Sequence, residues 1–438
     1  MGAGPDPAAR IGRVFAPGLA LRASEIRIVN ARENQLLTRT GPDTPMGQLL
    51  RRYWIPALFS SQLPEPDCAP VRVKLMGEEL VAIRATDGSV GVLQERCPHR
   101  RASLYFGRNE EQGLRCVYHG WKFAVDGTCL ETPGEPNENF KTKIRLGSYP
   151  AHEQGGIVWT YMGPSELQPE KPQLEWSLVP ESHRFVSKRI QESNWFQALE
   201  GGYDYIHVGM LHRGSMTENM TAAMPKFKFT APVLQEIIET DYGLLFGRRQ
   251  EPEPGQAYWT LSQLVMPFHK VLPRQAADQT RGAHAWVPID DQHCMLWSID
   301  YHAERPLRDD EVEDAHNGEG IHAATIPGTD RAVLNKDNDY GIDRAVQKRG
   351  DSFTGIPGFG TQDSAIQESQ GTICDRTEEH LCSSDKQIIA LRRYFLKLLK
   401  AGDAGVTPPG LEAWSHCVKT ENVTVAADLS LREVAARQ

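Results

Sequence analysis

Apolar and polar positions alternate through residues 69–94. V-R-V-K-L, E-L-V-A-I-R and V-G-V-L-Q follow one another, with turn signals at Gly77 and Asp87-Gly88, so the stretch predicts antiparallel strands and hairpins. Strand and turn signals continue as far as I-V-W-T-Y, which ends at Tyr161. Ahead of them, P-M-G-Q-L-L-R-R-Y-W from Pro45 predicts a short amphipathic helix running into Trp54. The stretch from Gly163 to Pro180 is rich in Pro and Glu and predicts a domain boundary. Beyond it the pattern predicts a helical segment from Trp195 to Ile206, several strands between Phe229 and Tyr301, and an acidic, polar loop region from Arg305 to Gly320. Helical periodicity is strongest near the end. Ile388, Leu391, Phe395 and Leu398 form one stripe of a helix that Asp385 caps and Gly402 stops.

A chain of 438 residues exceeds the size at which one hydrophobic core usually stops growing, so two domains are expected. Its 40% apolar and 8% aromatic content suits a soluble globular enzyme with a sizeable core. A net charge of −9 argues against nucleic acid as a partner, because phosphate binding needs clustered Lys and Arg; a few cations in one pocket could still receive an anionic substrate. No run approaches the roughly 20 apolar residues of a membrane span and no signal peptide is evident, so no membrane association and a cytoplasmic location are expected. Residues 1–33 show little periodicity. Arg10, Arg13 and Arg22 weakly resemble a transit peptide, but a poorly ordered extension is the expectation. Eight cysteines in a reducing compartment point to metal ligation or inert thiols rather than disulfides.

Two of those cysteines sit in a pattern. Cys97-Pro98-His99 and Cys116-Val117-Tyr118-His119 each supply one thiol and one imidazole, and residues 100–115 separate them. A Rieske [2Fe–2S] centre needs two thiolates on one iron and two imidazoles on the other, delivered by two such loops. Neutral imidazole in place of thiolate raises the cluster's potential and lets it take electrons from a flavin or ferredoxin-type donor. A structural zinc site also accepts Cys₂His₂, but zinc fingers usually run Cys, Cys, His, His, whereas the order here alternates. The other cysteines, Cys129, Cys294, Cys374 and Cys382 among them, read as core or surface thiols.

The second constellation is Asp204, His207 and His212. Non-haem iron enzymes hold Fe(II) with two His and one carboxylate on one face, leaving the opposite positions open. A five-residue step on a straight helix turns by roughly 140° beyond one full turn, so both rings reach one metal only if the helix bulges or ends, which Gly209 permits. Asp204, three residues before His207 on the same helical face, can accept the imidazole's other N–H. Two histidines five apart are by themselves ordinary; the upstream Cys/His pattern gives them meaning, because a one-electron cluster needs a redox partner site. The third ligand must be a carboxylate, and spacing alone does not choose it among 57 acidic residues.

With these motifs the chain resembles the Rieske ring-hydroxylating oxygenase α-subunits, in particular the phthalate 4,5-dioxygenase group, which includes aryl O-demethylases. The matching stretches are L-L-T-R-T-G-P-D-T-P-M-G, R-R-Y-W-I-P-A, both metal motifs, W-V-P-I-D-D from Trp286, N-K-D-N-D-Y-G-I-D-R from Asn335, and the string from Gln362 to Asp385. Coverage is nearly complete from about residue 34 to 400. The resemblance implies an α+β chain with a poorly ordered extension at 1–33, an all-β Rieske domain at 34–163, and a catalytic domain at 164–438 in which a curved antiparallel sheet grips a long helix. It implies Asp363 as the third iron ligand, with Asp343 and Asp375 as the other candidates. It further implies a homotrimer in which electrons pass from one subunit's cluster through Asp204 to the neighbour's iron, fed by a separate NADH-dependent reductase carrying FMN and a [2Fe–2S] cluster. Tyr203 and Tyr205 depart from the small or polar residues that often flank this Asp.

The activity implied is dihydroxylation of a phthalate-like aromatic carboxylate with O₂, or alternatively O-demethylation of a methoxylated aromatic acid. A carboxylated substrate calls for a bidentate cation, which favours Arg over Lys. Arg248 and Arg249, in Y-G-L-L-F-G-R-R, are the candidates, with Arg213 as a third; solvated strand-edge charge is the competing reading of all three. Two other classes stand beside this one. A zinc hydrolase would use His207, His212 and Asp363, and a Rieske electron carrier without catalysis would leave everything after Gly163 unexplained.

Overall fold

The computed structural model describes residues 11–14, 29–215, 233–274 and 278–437. Contacts divide the chain into two units, residues 40–171 with 288–290, and residues 1–39, 172–287 and 291–438.

The first unit is built from three small antiparallel sheets. One has the order Ser148–Tyr149, Val90–Gln94, Glu78–Arg84, Val71–Leu75. A second joins Ala151–Gln154, Ile157–Tyr161 and Trp54–Phe59, and a third joins Arg108–Glu110, Gly113–Arg115, Lys122–Phe123 and Cys129–Glu131. The edge strand Val71–Leu75 keeps the alternation seen in the sequence, while the central strand Glu78–Arg84 buries four consecutive residues, because layers cover both of its faces. Val81, Ile83, Leu93, Leu114, Trp121 and Phe123 form a core that includes the thiols of Cys97, Cys116 and Cys129. The helix expected from Pro45 spans Pro45–Leu50, with Thr44 capping it through a hydrogen bond from Gly47 N–H.

The second unit centres on a nine-stranded antiparallel sheet. Its path runs Ile11–Val14, Leu234–Thr240, Gly243–Gln250, Gln256–Val265, His269–Val271, Arg281–Pro288, Cys294–Tyr301, Arg184–Gln191, and Val423–Ala426 pairs Gln256–Val265 off this path. Helix Lys386–Asp403 packs on strand Leu234–Thr240 and on helices Trp195–Tyr203 and Ala31–Thr38. It buries Ile388, Leu391, Phe395 and Leu399.

Several expectations need correction. Leu399, not Leu398, closes the apolar stripe, and the helix runs past Gly402 to Asp403, with the left-handed residue coming later at Gly405 (φ 75°). Asp385 stands at the N-cap but spends its carboxylate on Cys382 N–H, in the preceding turn. A helix, Asp309–His316, occupies the expected loop region; Asp309, Asp310 and Glu311 in its first turn favour it through the helix dipole. Residues 31–38 belong with the second unit, not with residues 40–171, because Asn34 Nδ2 donates to Cys374 O (3.0 Å) and Arg376 Nη1 donates to Asn34 Oδ1 (2.8 Å). Of the expected extension, residues 1–10 and 15–28, including Arg10 and Arg22, lie outside the described residues, as does Phe229; Ile11–Val14 is a strand. Among the described residues no helix is long and apolar enough to cross a membrane.

Candidate metal centres and substrate cavity

Two loops present the Cys/His motifs, and the same pair of hydrogen bonds closes each. Cys97 N–H donates to Ala102 O and its carbonyl accepts from Arg101 N–H; Cys116 N–H donates to Trp121 O and its carbonyl accepts from Gly120 N–H. The fourth residue after each cysteine turns left-handed, Arg101 at φ 62° and Gly120 at φ 76°, which brings the chain back on itself. Backbone pairs clamp both necks, an isolated bridge of Arg96 with Ser103 and a strand pair of Arg115 with Lys122. The thiols point into the core, 1% and 3% exposed, while His99 is exposed and His119 half-buried. The two rings lie 4.4 Å apart, and His99 stacks on Trp121 at 4.4 Å. Burial pushes the Cys97 thiol up to about 11, so thiolates at this depth need an adjacent cation. Two buried sulfurs and two outward imidazoles on paired loops fit the donor set of a mixed-ligand two-iron cluster.

The second site grows from a broken helix. Helix Trp195–Tyr203 ends at Asp204, whose extended backbone (ψ 130°) starts a new turn, and a separate helix spans Ile206–Met210. Asp204 therefore caps one helix instead of sharing a continuous face with His207. Its Oδ1 accepts Ile206 N–H (3.0 Å), and its Oδ2 lies 3.7 Å from His207 Nδ1, an ionic contact longer than a hydrogen bond. The short helix ends at Met210, which frees His212 to turn back toward His207; the break thus falls on both sides of Gly209 and not at it. Asp363 comes from helix Phe359–Ser369. Its Oδ1 lies 3.5 Å from His207 Nε2 and 3.2 Å from His212 Nε2, and one ligand atom from each of the three residues falls within 4.8 Å of the others.

The fit of a metal to these three can be tested on the hydrogen bonds. Gln362 Nε2 donates to Ser215 Oγ and to Ile356 O, both at 2.8 Å, so its Oε1 must be the atom facing His212 Nδ1 at 2.8 Å. His212 therefore carries its proton on Nδ1 and presents a lone pair on Nε2. That atom and Asp363 Oδ1 are both buried and neither has a hydrogen-bond partner. Two lone pairs facing one another are what a shared cation resolves. The donor set, two imidazoles and a carboxylate, suits Fe(II). The other candidate acids are engaged elsewhere: Asp343 caps the helix after it, and Asp375 accepts from Thr377.

Gln362 is a residue that the sequence reading missed. Gln362→Leu removes the acceptor that fixes the His212 tautomer and is expected to weaken iron binding about 10–100-fold, read by titration of the apoprotein with Fe(II). An unchanged affinity would show that the ring is held by its stack on Phe359 (3.3 Å) instead.

His207 and Asp363 open onto a cavity of about 280 Å³, with Leu261, Leu272, Trp286 and Ile321 among its apolar walls. Gly201 and Gly202, costly inside a helix, are there because a Cβ would meet Gln367 or Trp286 at 2.1 or 2.4 Å. Three cations line the cavity. Arg189 donates to Gly360 O and Ile321 O, Lys270 donates to Gly202 O, and burial lowers the lysine to about 8. Arg248 is the third: 6% exposed, with one hydrogen bond, Nη2 to Thr260 Oγ1 at 3.1 Å, and no carboxylate partner among the described residues. Burial pushes its guanidinium down to about 10.

The structure separates the two neighbouring arginines, because successive strand residues face opposite sides. Arg249 lies outside the cavity lining, bonding Ala427 O (2.6 Å) and Glu251 (2.8 Å), and Arg213 is exposed. Neither faces the metal triad's cavity, contrary to their candidacy.

Comparison with known proteins follows the same division. Residues 53–150 match the Rieske [2Fe-2S] domain, and residues 160–416 match the family described as LigXa C-terminal domain like. The 3-chlorobenzoate-3,4-dioxygenase oxygenase subunit of Comamonas testosteroni is 38% identical over 87% of this chain and 91% of its own. The phthalate 4,5-dioxygenase oxygenase subunit of Pseudomonas putida is 36% identical over 92% and 94%. Among solved structures, the caffeine-bound NdmA mutant from Pseudomonas putida CBB5 superposes with a TM-score of 0.59 at 19% identity, covering 88% of this chain and 99% of that one, which shows a shared fold. The paired Cys/His loops, the His–His–Asp triad and these matches agree: the chain belongs to the Rieske non-haem iron oxygenases, as an oxygenase subunit of the kind that serves aromatic dioxygenase and demethylase systems.

Proposed function

We propose that this oxygenase subunit dihydroxylates an aromatic carboxylate with O₂ and NADH-derived electrons. One observation carries the reading: Arg248, a buried guanidinium with no carboxylate partner among the described residues, lines the same cavity as His207 and Asp363. A buried cation without a counter-charge is costly, and an incoming carboxylate supplies one through paired charged hydrogen bonds. Two relatives whose names specify 3-chlorobenzoate and phthalate support an acid of this kind.

In this reading Cys97, His99, Cys116 and His119 hold the [2Fe–2S] cluster, and His207, His212 and Asp363 hold the mononuclear iron. Ferrous iron bound there supplies O₂ activation, with electrons drawn from the cluster. Around it, Asp204 orients His207 and stands where the resemblance puts the electron's passage from a neighbouring subunit. Gln362 fixes His212, Arg248 anchors the acid, and Leu261, Leu272 and Trp286 keep water from the arene. The cluster is fed by a separate reductase carrying FMN and a [2Fe–2S] centre. The subunit works as a homotrimer, for which Val117 and Tyr118, exposed within the cluster loop at 58% and 54%, offer a contact surface.

Arg248→Gln is expected to raise KM for an aromatic acid by about 10–100-fold, while Arg249→Gln leaves it unchanged. An unchanged KM in Arg248→Gln would remove the carboxylate from the proposal. Mass spectrometry of products from phthalate isomers, benzoates and methoxybenzoates tests the reaction itself. A dihydrodiol supports dihydroxylation, and formaldehyde release in its place would assign O-demethylation.

A further inference from the structure

We infer that Tyr205 sets the plane in which the substrate's ring lies, and thereby selects benzoate-type monocarboxylates that carry no ortho substituent. The inference rests on Arg248 as the carboxylate anchor and goes beyond it. Arg248 Cζ stands 3.0 Å from the centroid of the Tyr205 ring. At that separation only a face-on stack keeps the guanidinium nitrogens clear of the ring carbons, so the two planes are parallel. The Nη2 hydrogen bond to Thr260 Oγ1 (3.1 Å) stops rotation within the plane. Tyr205 is itself fixed, 5% exposed, with its carbonyl accepting Val208 N–H (3.2 Å).

A carboxylate that pairs bidentately with a guanidinium lies in the guanidinium plane. An unhindered benzoate keeps its carboxylate coplanar with its ring through conjugation, so its arene would lie parallel to Tyr205. An ortho substituent twists the carboxylate out of the ring plane and turns the arene away from that slot. The second carboxylate of phthalate sits ortho to the first and imposes the same twist. The cavity volume of about 280 Å³ sits at the small end of ligand pockets and suits a single-ring acid.

The test uses the iron-loaded full chain under anaerobic conditions and measures Kd by calorimetry for 3-methylbenzoate, 2-methylbenzoate and phthalate. The two methylbenzoates share charge and composition and differ in the twist. Wild type is expected to bind 3-methylbenzoate at least about tenfold tighter than either ortho-substituted acid, with Tyr205→Phe keeping that preference. Tyr205→Leu, its folding checked by circular dichroism and retained mononuclear iron, should weaken 3-methylbenzoate about tenfold and bring the three acids together. Equal binding of the two methylbenzoates by wild type, tighter binding of phthalate, or a preserved preference in Tyr205→Leu would each overturn the inference. Arg248→Gln separates it from the reading beneath it: an unchanged Kd there sinks the anchor itself, whereas a weakened Kd with an indifferent Tyr205→Leu sinks only the role of Tyr205.

Discussion

Asp363→Ala is expected to lose the mononuclear iron, retain the cluster's absorbance and paramagnetic signal, and cut turnover by more than about 100-fold, beyond the 10–100-fold attached to residues that only orient a ligand. Among the described residues, Asp363 Oδ1 is the anionic atom that faces both imidazole nitrogens, at 3.5 and 3.2 Å. Without it a divalent ion would keep two neutral ligands, five residues apart on a broken helix, and would lose the charge that favours a hard cation. The cluster should survive because its four ligands come from residues 97–119, in the other unit. Metal analysis of the purified variant checks the result. A full complement of iron with normal turnover would place the third ligand on another carboxylate.

The largest stability effect is expected at Glu200, on the helix that ends at Asp204. Its carboxylate receives Arg376 Nε (3.1 Å) and Nη2 (2.6 Å), and Arg392 Nε (2.5 Å). Arg376 is fully buried, and Arg392 also reaches Glu379 at 2.6 Å. Glu200→Ala leaves the guanidinium of Arg376 with Asn34 as its hydrogen-bond partner among the described residues and should cost about 3–5 kcal/mol, read as a lowered denaturation midpoint. Burial alone would push Glu200 up, but Arg376 and Arg392 outweigh it and hold its carboxyl below the ordinary range. The sign follows from that depression. The contribution is complete above the unfolded value near 4.5 and drains away as pH falls through the lower folded value, so the variant's deficit should shrink in acid. A deficit below about 1 kcal/mol at neutral pH would mean that the network is replaceable.

The sheets of residues 40–171 were legible because their strands are short β-branched and apolar runs, alternating at Val71–Leu75, and their turns carry glycine at positive φ, as at Gly77 and Gly88. The four proposed cluster ligands stood out because all lie within 23 residues, 97 to 119, in an order that few other sites use. Asp363 did not. It lies 151 positions beyond His212, on a weakly amphipathic helix, and only the resemblance picked it from the other acids. Gln362 gave no signal, since an amide acts as an orienter only once its two donors are seen to be committed to Ser215 and Ile356. Gly201-Gly202 did give one: two adjacent glycines inside a helix announce a close approach, here of Gln367 and Trp286. The pairing of Arg248 with the cavity and Arg249 with Ala427 turns on strand phase, which the sequence left open by one residue.

The central claim is that one chain carries both a mixed-ligand two-iron cluster and a separate ferrous ion held by His207, His212 and Asp363. Metal analysis coupled to electron paramagnetic resonance of anaerobically purified, dithionite-reduced protein tests it directly. The account predicts about three iron atoms per chain, little zinc, and the signal of a one-electron-reduced Rieske cluster. Zinc in place of iron, or an iron-loaded protein that stays silent on reduction, would contradict it.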